Sequence, residues 1–175
     1  MNEKLRSIVT ASLFAAITTI ATMLIKVPTF GTNGYVNIGD TIVLIGAWLL
    51  GNPYGAFAAG IGSGLADLLS GYPAYIPGTI VVKFAMAFAC AASYSGLKKK
   101  MPRTVGFLVS SVVAEAIMIA GYFLYEALFL GYGLVAAASV ISNAVQGITC
   151  LVLGNALIHA LEPLFNRFAI THQTP

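Results

Sequence analysis

Asp67, Lys83, Glu115 and Glu126 lie within or at the ends of long apolar stretches of this 175-residue chain. An ionisable side chain near the centre of a bilayer costs about 2.5–3.5 kcal/mol on insertion scales, so each one calls for a partner or a purpose. Asp67 and Lys83 flank segment 70–78 and are placed to pair across it, each offsetting the cost of burying the other. Glu115 falls about eleven residues into its apolar run, roughly 16 Å at 1.5 Å per residue, too deep to reach water easily. Ser139, Asn143 and Gln146 share one helical face at a similar depth. With Tyr122 and Glu126 nearer one end, they could line a pocket for a small hydrogen-bonding ligand, or simply hold helices together. Tyr72 and Tyr75 add rings that stack and hydroxyls that donate or accept. This is binding chemistry, suited to a flat polar ring such as a pyridine or a pyrimidine.

Catalytic chemistry finds less material. His159 and His172 stand near the carboxyl end, away from Glu115 and Asp67 in sequence, and no HExxH or other metal-site spacing is present. Cys90 and Cys150 are isolated in apolar segments and read as packing residues. There is no GxxxxGK[ST] loop, since Lys83 and Lys98, Lys99 and Lys100 lack the glycines. The chain is therefore not expected to be an enzyme or to hydrolyse ATP by itself, and no cofactor or metal is implied. Its net charge of +3 comes from cations at the ends of apolar runs, where membrane topology explains them without nucleic acid.

The elements that must carry these residues follow from hydropathy. The chain is 58% hydrophobic and 9% charged, against roughly 25% charged in ordinary soluble domains. Apolar windows broken by Gly, Pro, Asn and Lys predict an all-α membrane protein, a single domain over 1–175. Six transmembrane helices are expected near 6–26, 41–51, 53–70, 77–96, 104–129 and 134–161. The first reads as a retained helix and not a removed signal peptide. Placing both termini in the cytoplasm puts Lys4, Arg6, Lys98, Lys99, Lys100, Arg103 and Arg167 on that side, as the positive-inside rule requires. Segments 34–43, 70–78 and 129–134 then face outward and could form a lid. Trp48 is expected on a span that touches lipid. Ser7, Ala11 and Ala15 recur every fourth residue and form a smooth face for a partner helix or for the protein's own helices. Ala56, Gly60 and Gly64, beside Ala59, Ser63 and Asp67, suggest a helix wedged inside the bundle.

The run GYVNIGDTIVLIGAWLLG at 34–51, with YGAFAAGIGSGLADLLSGYPAYIPGTIVVK at 54–83, resembles the substrate-binding S components of energy-coupling factor (ECF) transporters. More narrowly it is similar to the ECF-type riboflavin transporter S components, including members assigned to hydroxymethylpyrimidine and vitamin B6 compounds. The resemblance implies a six-helix protein of the bacterial plasma membrane that captures a vitamin outside. It implies partners, a transmembrane coupling subunit and two cytoplasmic ATPases, besides the surrounding lipid. The family's AxxxA docking motif matches Ala11 and Ala15, with Ser7 on the same face. The family also implies that the loop between the first two spans gates the pocket, giving Gly34 and Gly39 backbone freedom and Tyr35 the position of a cover. Asn37 and Asp40 could meet the ligand or cap the second helix, a common role for aspartate there. Riboflavin or another vitamin would be served by similar side chains, and a self-sufficient carrier or channel is the alternative from a different class.

Overall fold

A computed structural model describes residues 2–29 and 31–167, with side chains through residue 161. The Arg167 side chain and His172, both weighed above, lie outside the described residues. Six α-helices form: α1 Glu3–Leu24, α2 Gly39–Leu50, α3 Tyr54–Ser70, α4 Ile76–Leu97, α5 Arg103–Leu124 and α6 Ala137–Arg167. Three connections are short, 51–53, 71–75 and 98–102, and two are longer, 25–38 and 125–136. A π-helical turn, Tyr125–Phe129, and a 3-10 turn, Gly133–Ala136, carry α5 into α6.

The loop between α1 and α2 departs from the all-α expectation. Lys26–Pro28 (β1) and Tyr35–Asn37 (β2) pair antiparallel, with Val27 opposite Val36. Three-residue strands are too short to show a period in sequence, whereas their β-branched centres suit a pleated ribbon once the helices bring the ends together.

By length and composition four helices can cross a membrane: Glu3–Leu24, Ile76–Leu97, Arg103–Phe129 and Gly133–Leu161. Against the expectation of six spans there are six helices of unequal length, four of them long and apolar enough to cross. α2 has 12 residues, about 18 Å at 1.5 Å per residue, which is short of a 30 Å hydrocarbon core. It is also the centre of the bundle, with Val43, Leu44, Ala47 and Trp48 all buried. Around it pack Ala56 and Ala59 of α3, Met86 and Cys90 of α4, Phe107 and Met118 of α5, and Ile158 of α6. Trp48 therefore does not face lipid. Its ring lies 4.7 Å from that of Phe107, and Nε1 donates to Ser110 Oγ at 2.9 Å. A helix that is apolar all round satisfies either lipid or core, and the central position decides for core.

Polarity is distributed inside out. Asp40, Asp67, Lys83, Glu115, Glu126, Asn143 and Gln146 are buried, while Leu13, Ile20, Val81, Val112, Ile141 and Val145 are exposed. In water that surface would be a very large apolar patch; in a bilayer it is the favoured one.

The glycines of α3 do what their density suggested. A Cβ at Gly60 would lie 2.9 Å from the Ile80 carbonyl oxygen of α4, and one at Gly62 would lie 2.5 Å from the Ala15 carbonyl oxygen of α1. Thr19 Oγ1 donates across this contact to Gly62 O at 2.8 Å. Gly62→Val is therefore expected to lower the unfolding free energy by about 1–3 kcal/mol, since the obstructing atoms are backbone and cannot rotate away. A drop in melting temperature in detergent would show it; an unchanged melt would mean that α1 and α3 separate there at no cost.

Candidate functional site

The basic side chains Lys4, Arg6, Lys98, Lys99, Lys100 and Arg103 lie where α1 begins, α4 ends and α5 begins, at one end of the bundle. At the other end, beneath the β1–β2 hairpin, the buried polar groups converge on a narrow cleft with an interior of about 20 Å3. Thr22 of α1, Asn37 of β2, Asp67 of α3, Lys83 of α4, Tyr122 of α5 and Asn143 of α6 all reach its wall. Every long helix thus contributes a polar group to the cleft.

One network ties the floor to the hairpin. Asp40, 1% exposed in the first turn of α2, forms an ion pair with Lys83 of α4. Its other oxygen accepts from Gln146 Nε2 of α6 at 2.6 Å, and Gln146 Oε1 accepts from the backbone N–H of Asn37 at 2.6 Å. Lys83 Nζ also lies 5.2 Å from the Tyr122 ring centroid, a cation–π position. Two expectations fail here. Asp40 does not cap α2: the side chain of Asn37 accepts from Gly39 N–H at 2.8 Å instead. Nor does Lys83 pair with Asp67. Lys83 sits seven residues into α4, about 10 Å below the loop, facing α2 and α6. A buried ammonium left without a carboxylate is costly, so the pairing overrides the local capping preference.

A second group closes the mouth. Tyr35 of β2 donates to Asp67 Oδ1 at 2.7 Å and its ring lies 4.6 Å from that of Tyr72. Burial, and after it the Asp67 carboxylate, push the Tyr35 phenol above its ordinary range, so it remains a donor at physiological pH. Tyr75 donates to Glu126 Oε1 at 3.0 Å, and Ser139 donates to Glu126 Oε2. Thr79 Oγ1 and Tyr122 Oη lie 3.0 Å apart.

Asn37, Asp67, Tyr75, Lys83, Tyr122 and Asn143 thus line the cleft, with Gly34 and Tyr35 at its hairpin side. Asp40 and Gln146 stand behind the wall as supports, and Tyr72 covers Tyr35 from outside the lining. Glu115 is held apart, beside Gly147, with both carboxyl oxygens buried and unpartnered. The residues that could line one pocket or hold helices, Glu115, Ser139, Asn143 and Gln146 with Tyr122 and Glu126, are therefore divided: Ser139 bonds Glu126, Gln146 bonds Asp40, and Glu115 stands apart. Gly39 packs its Cα against Thr22, leaving no room for a side chain. Sequence reasoning missed Thr22, Thr29, Ser63 and Thr79. The signal for Thr22 was its helical spacing from Thr18 and Thr19, hydroxyls that an otherwise apolar helix would bury inward.

On α1, Ser7 and Ala15 are buried and Ala11 is half-buried. Ala11 and Ala15, with Ser12, Ala16, Phe57 and Ile61, line an apolar groove between α1 and α3.

The site offers donors, acceptors and aromatic faces in a partly enclosed cleft, and among the described residues no group of three His, Cys, Asp or Glu is placed to hold a metal. The family described as ECF-type riboflavin transporter, S component, matches residues 2–163. A Pyrococcus woesei protein described as an uncharacterized protein in gap 3'region is 31% identical over 145 residues, which cover 82% of this chain and 93% of that one.

Proposed function

Since the chain belongs to the ECF-type riboflavin transporter S component family, whose members are non-enzymatic membrane subunits of vitamin uptake, we propose that it captures a vitamin B6 or hydroxymethylpyrimidine-like ring in the cleft beneath the β1–β2 hairpin. The observation that carries this reading is the enclosure itself: polar groups from every long helix, buried at one end of a bundle whose outer surface is apolar. Its interior is tight enough for little more than a single water, so admission of a ring requires the hairpin to swing.

In this reading the whole chain is one membrane domain crossing six times, with both termini in the cytoplasm and the cleft opening outside the plasma membrane. α2 need not match the bilayer thickness, because the other helices enclose it. The basic end then faces inward. S components of this family work with a coupling subunit and ATPases. Here the docking surface is the α1–α3 groove, with Ala11, Ser12 and Ala16 at its accessible rim and Ser7 and Ala15 supporting it from within. Gly34, Tyr35 and Gly39 belong to the moving gate.

A self-sufficient carrier is the second reading, favoured by Glu115, an unpartnered buried carboxyl of the kind that proton-coupled carriers use. Reconstitution separates the two. Uptake of labelled pyridoxine or hydroxymethylpyrimidine into proteoliposomes that requires the coupling subunit, the ATPases and ATP is the expected result. Uptake by the chain alone would establish the carrier.

A further inference from the structure

Once the internal pairings of the cleft are assigned, its charges do not balance. Lys83 is committed to Asp40. Glu126 has both oxygens engaged, by Tyr75 and Ser139. Asp67 is different. It lines the cleft and is 4% exposed, Oδ1 accepts from Tyr35, and Oδ2 is buried with no hydrogen-bond partner. Thr79 stands beside this carboxyl, its hydroxyl 3.0 Å from that of Tyr122 and outside hydrogen-bonding geometry to Oδ2. A second orphan, Thr22 Oγ1, lines the same cleft from α1. A buried carboxylate oxygen without a donor is a strong demand for one, and the demand is greatest where water is excluded. Among the described residues, no uncommitted cation faces the cleft to answer it.

We propose that Asp67 Oδ2 is the anchor for the cargo, and that the site selects a heteroaromatic ring presenting N–H donors, an aminopyrimidine or protonated pyridine edge, while rejecting phosphate esters and carboxylic acids. The inference rests on the reading of this cleft as the vitamin site and specifies its charge preference. The ring edge approaches the free oxygen of Asp67 while Tyr35 keeps the other, so one carboxylate holds the cargo and the hairpin together. Thr22 accepts from or donates to the same ring on its α1 side. An anionic group in this cleft meets Asp67 and Glu126 and finds its only ammonium already neutralised, an arrangement that excludes it by like-charge contact.

The test is equilibrium binding of two tritiated probes, 4-amino-5-hydroxymethyl-2-methylpyrimidine and pyridoxine, to the purified full-length chain. Each is displaced by its own phosphate ester, in wild type and Asp67→Asn. The phosphate esters are expected to bind about 100-fold more weakly or worse, and Asp67→Asn to weaken the parent probe about 10- to 100-fold. Equal binding of the phosphate esters, or Asp67→Asn within threefold of wild type, would overturn the charge preference while leaving the vitamin site standing. Binding of no compound by wild type that melts cooperatively would remove the vitamin site itself and this inference with it. Should Asp67→Asn fail to fold, the wild-type competition decides alone.

Discussion

Lys83→Met lowers the unfolding free energy of the chain by about 3–5 kcal/mol, because the methionine fills the volume but leaves the Asp40 carboxylate buried and uncompensated. Asp40 is then held only by Gln146, which is itself the acceptor for the hairpin's Asn37 N–H. The loss should therefore appear as more than a stability change: β2 loses the support that fixes its end, and amide exchange across β1–β2 rises with it. The double variant Lys83→Met with Asp40→Leu is expected to recover most of the stability, since replacing a buried pair with packed apolar groups is often neutral or better. Denaturant titration of the single and double variants in the same detergent gives both numbers. A single variant as stable as wild type would mean that the pair is hydrated and not the structural clasp described above.

Ala11→Leu is expected to reduce coupled uptake about tenfold or more while leaving cargo affinity within about twofold. The leucine projects into the α1–α3 groove, where a partner helix needs a smooth floor. Ala11 lies eleven residues from Thr22 on α1, about 16 Å along the helix, too far to disturb the cleft directly. Ala16→Leu on the exposed rim is the companion variant, because Ala15 is buried against α3 and its replacement would confuse docking with folding. Uptake in cells carrying the coupling module, alongside binding by the purified variants, reads the two quantities separately. Unchanged uptake in both variants would move the docking surface off this groove.

Much of the helical frame was legible because a bilayer writes its demands in runs of apolar residues, and the glycines of α3 announced tight packing through their density alone. The interior was harder to read. In a membrane the lipid and the core are equally apolar, so no period distinguished the two sides of α2, and Trp48 was placed against lipid when it packs on Phe107. Asp40 carried the sequence signature of a helix cap, yet its partner Lys83 is 43 residues away, and a tertiary ion pair in a dry interior outweighs a local capping bond. Asp67 and Lys83 were paired on proximity to one loop, whereas helix direction sends them to different neighbours. The hairpin escaped notice because a three-residue strand holds less than two periods of alternation. Glu126 shows the same limit in another form: only the π-helical turn decides which way its carboxyl points.

The central claim is that this chain, with no other subunit present, holds a small vitamin in the cleft under its hairpin. Its most direct test is equilibrium binding of labelled pyridoxine, pyridoxal, hydroxymethylpyrimidine, thiamin, riboflavin and pantothenate to the purified chain in detergent. The account predicts saturable, one-to-one binding of a B6 or pyrimidine compound in the submicromolar range, about −8 kcal/mol or stronger. Absence of binding across the whole panel, by protein with a cooperative melt, would contradict it.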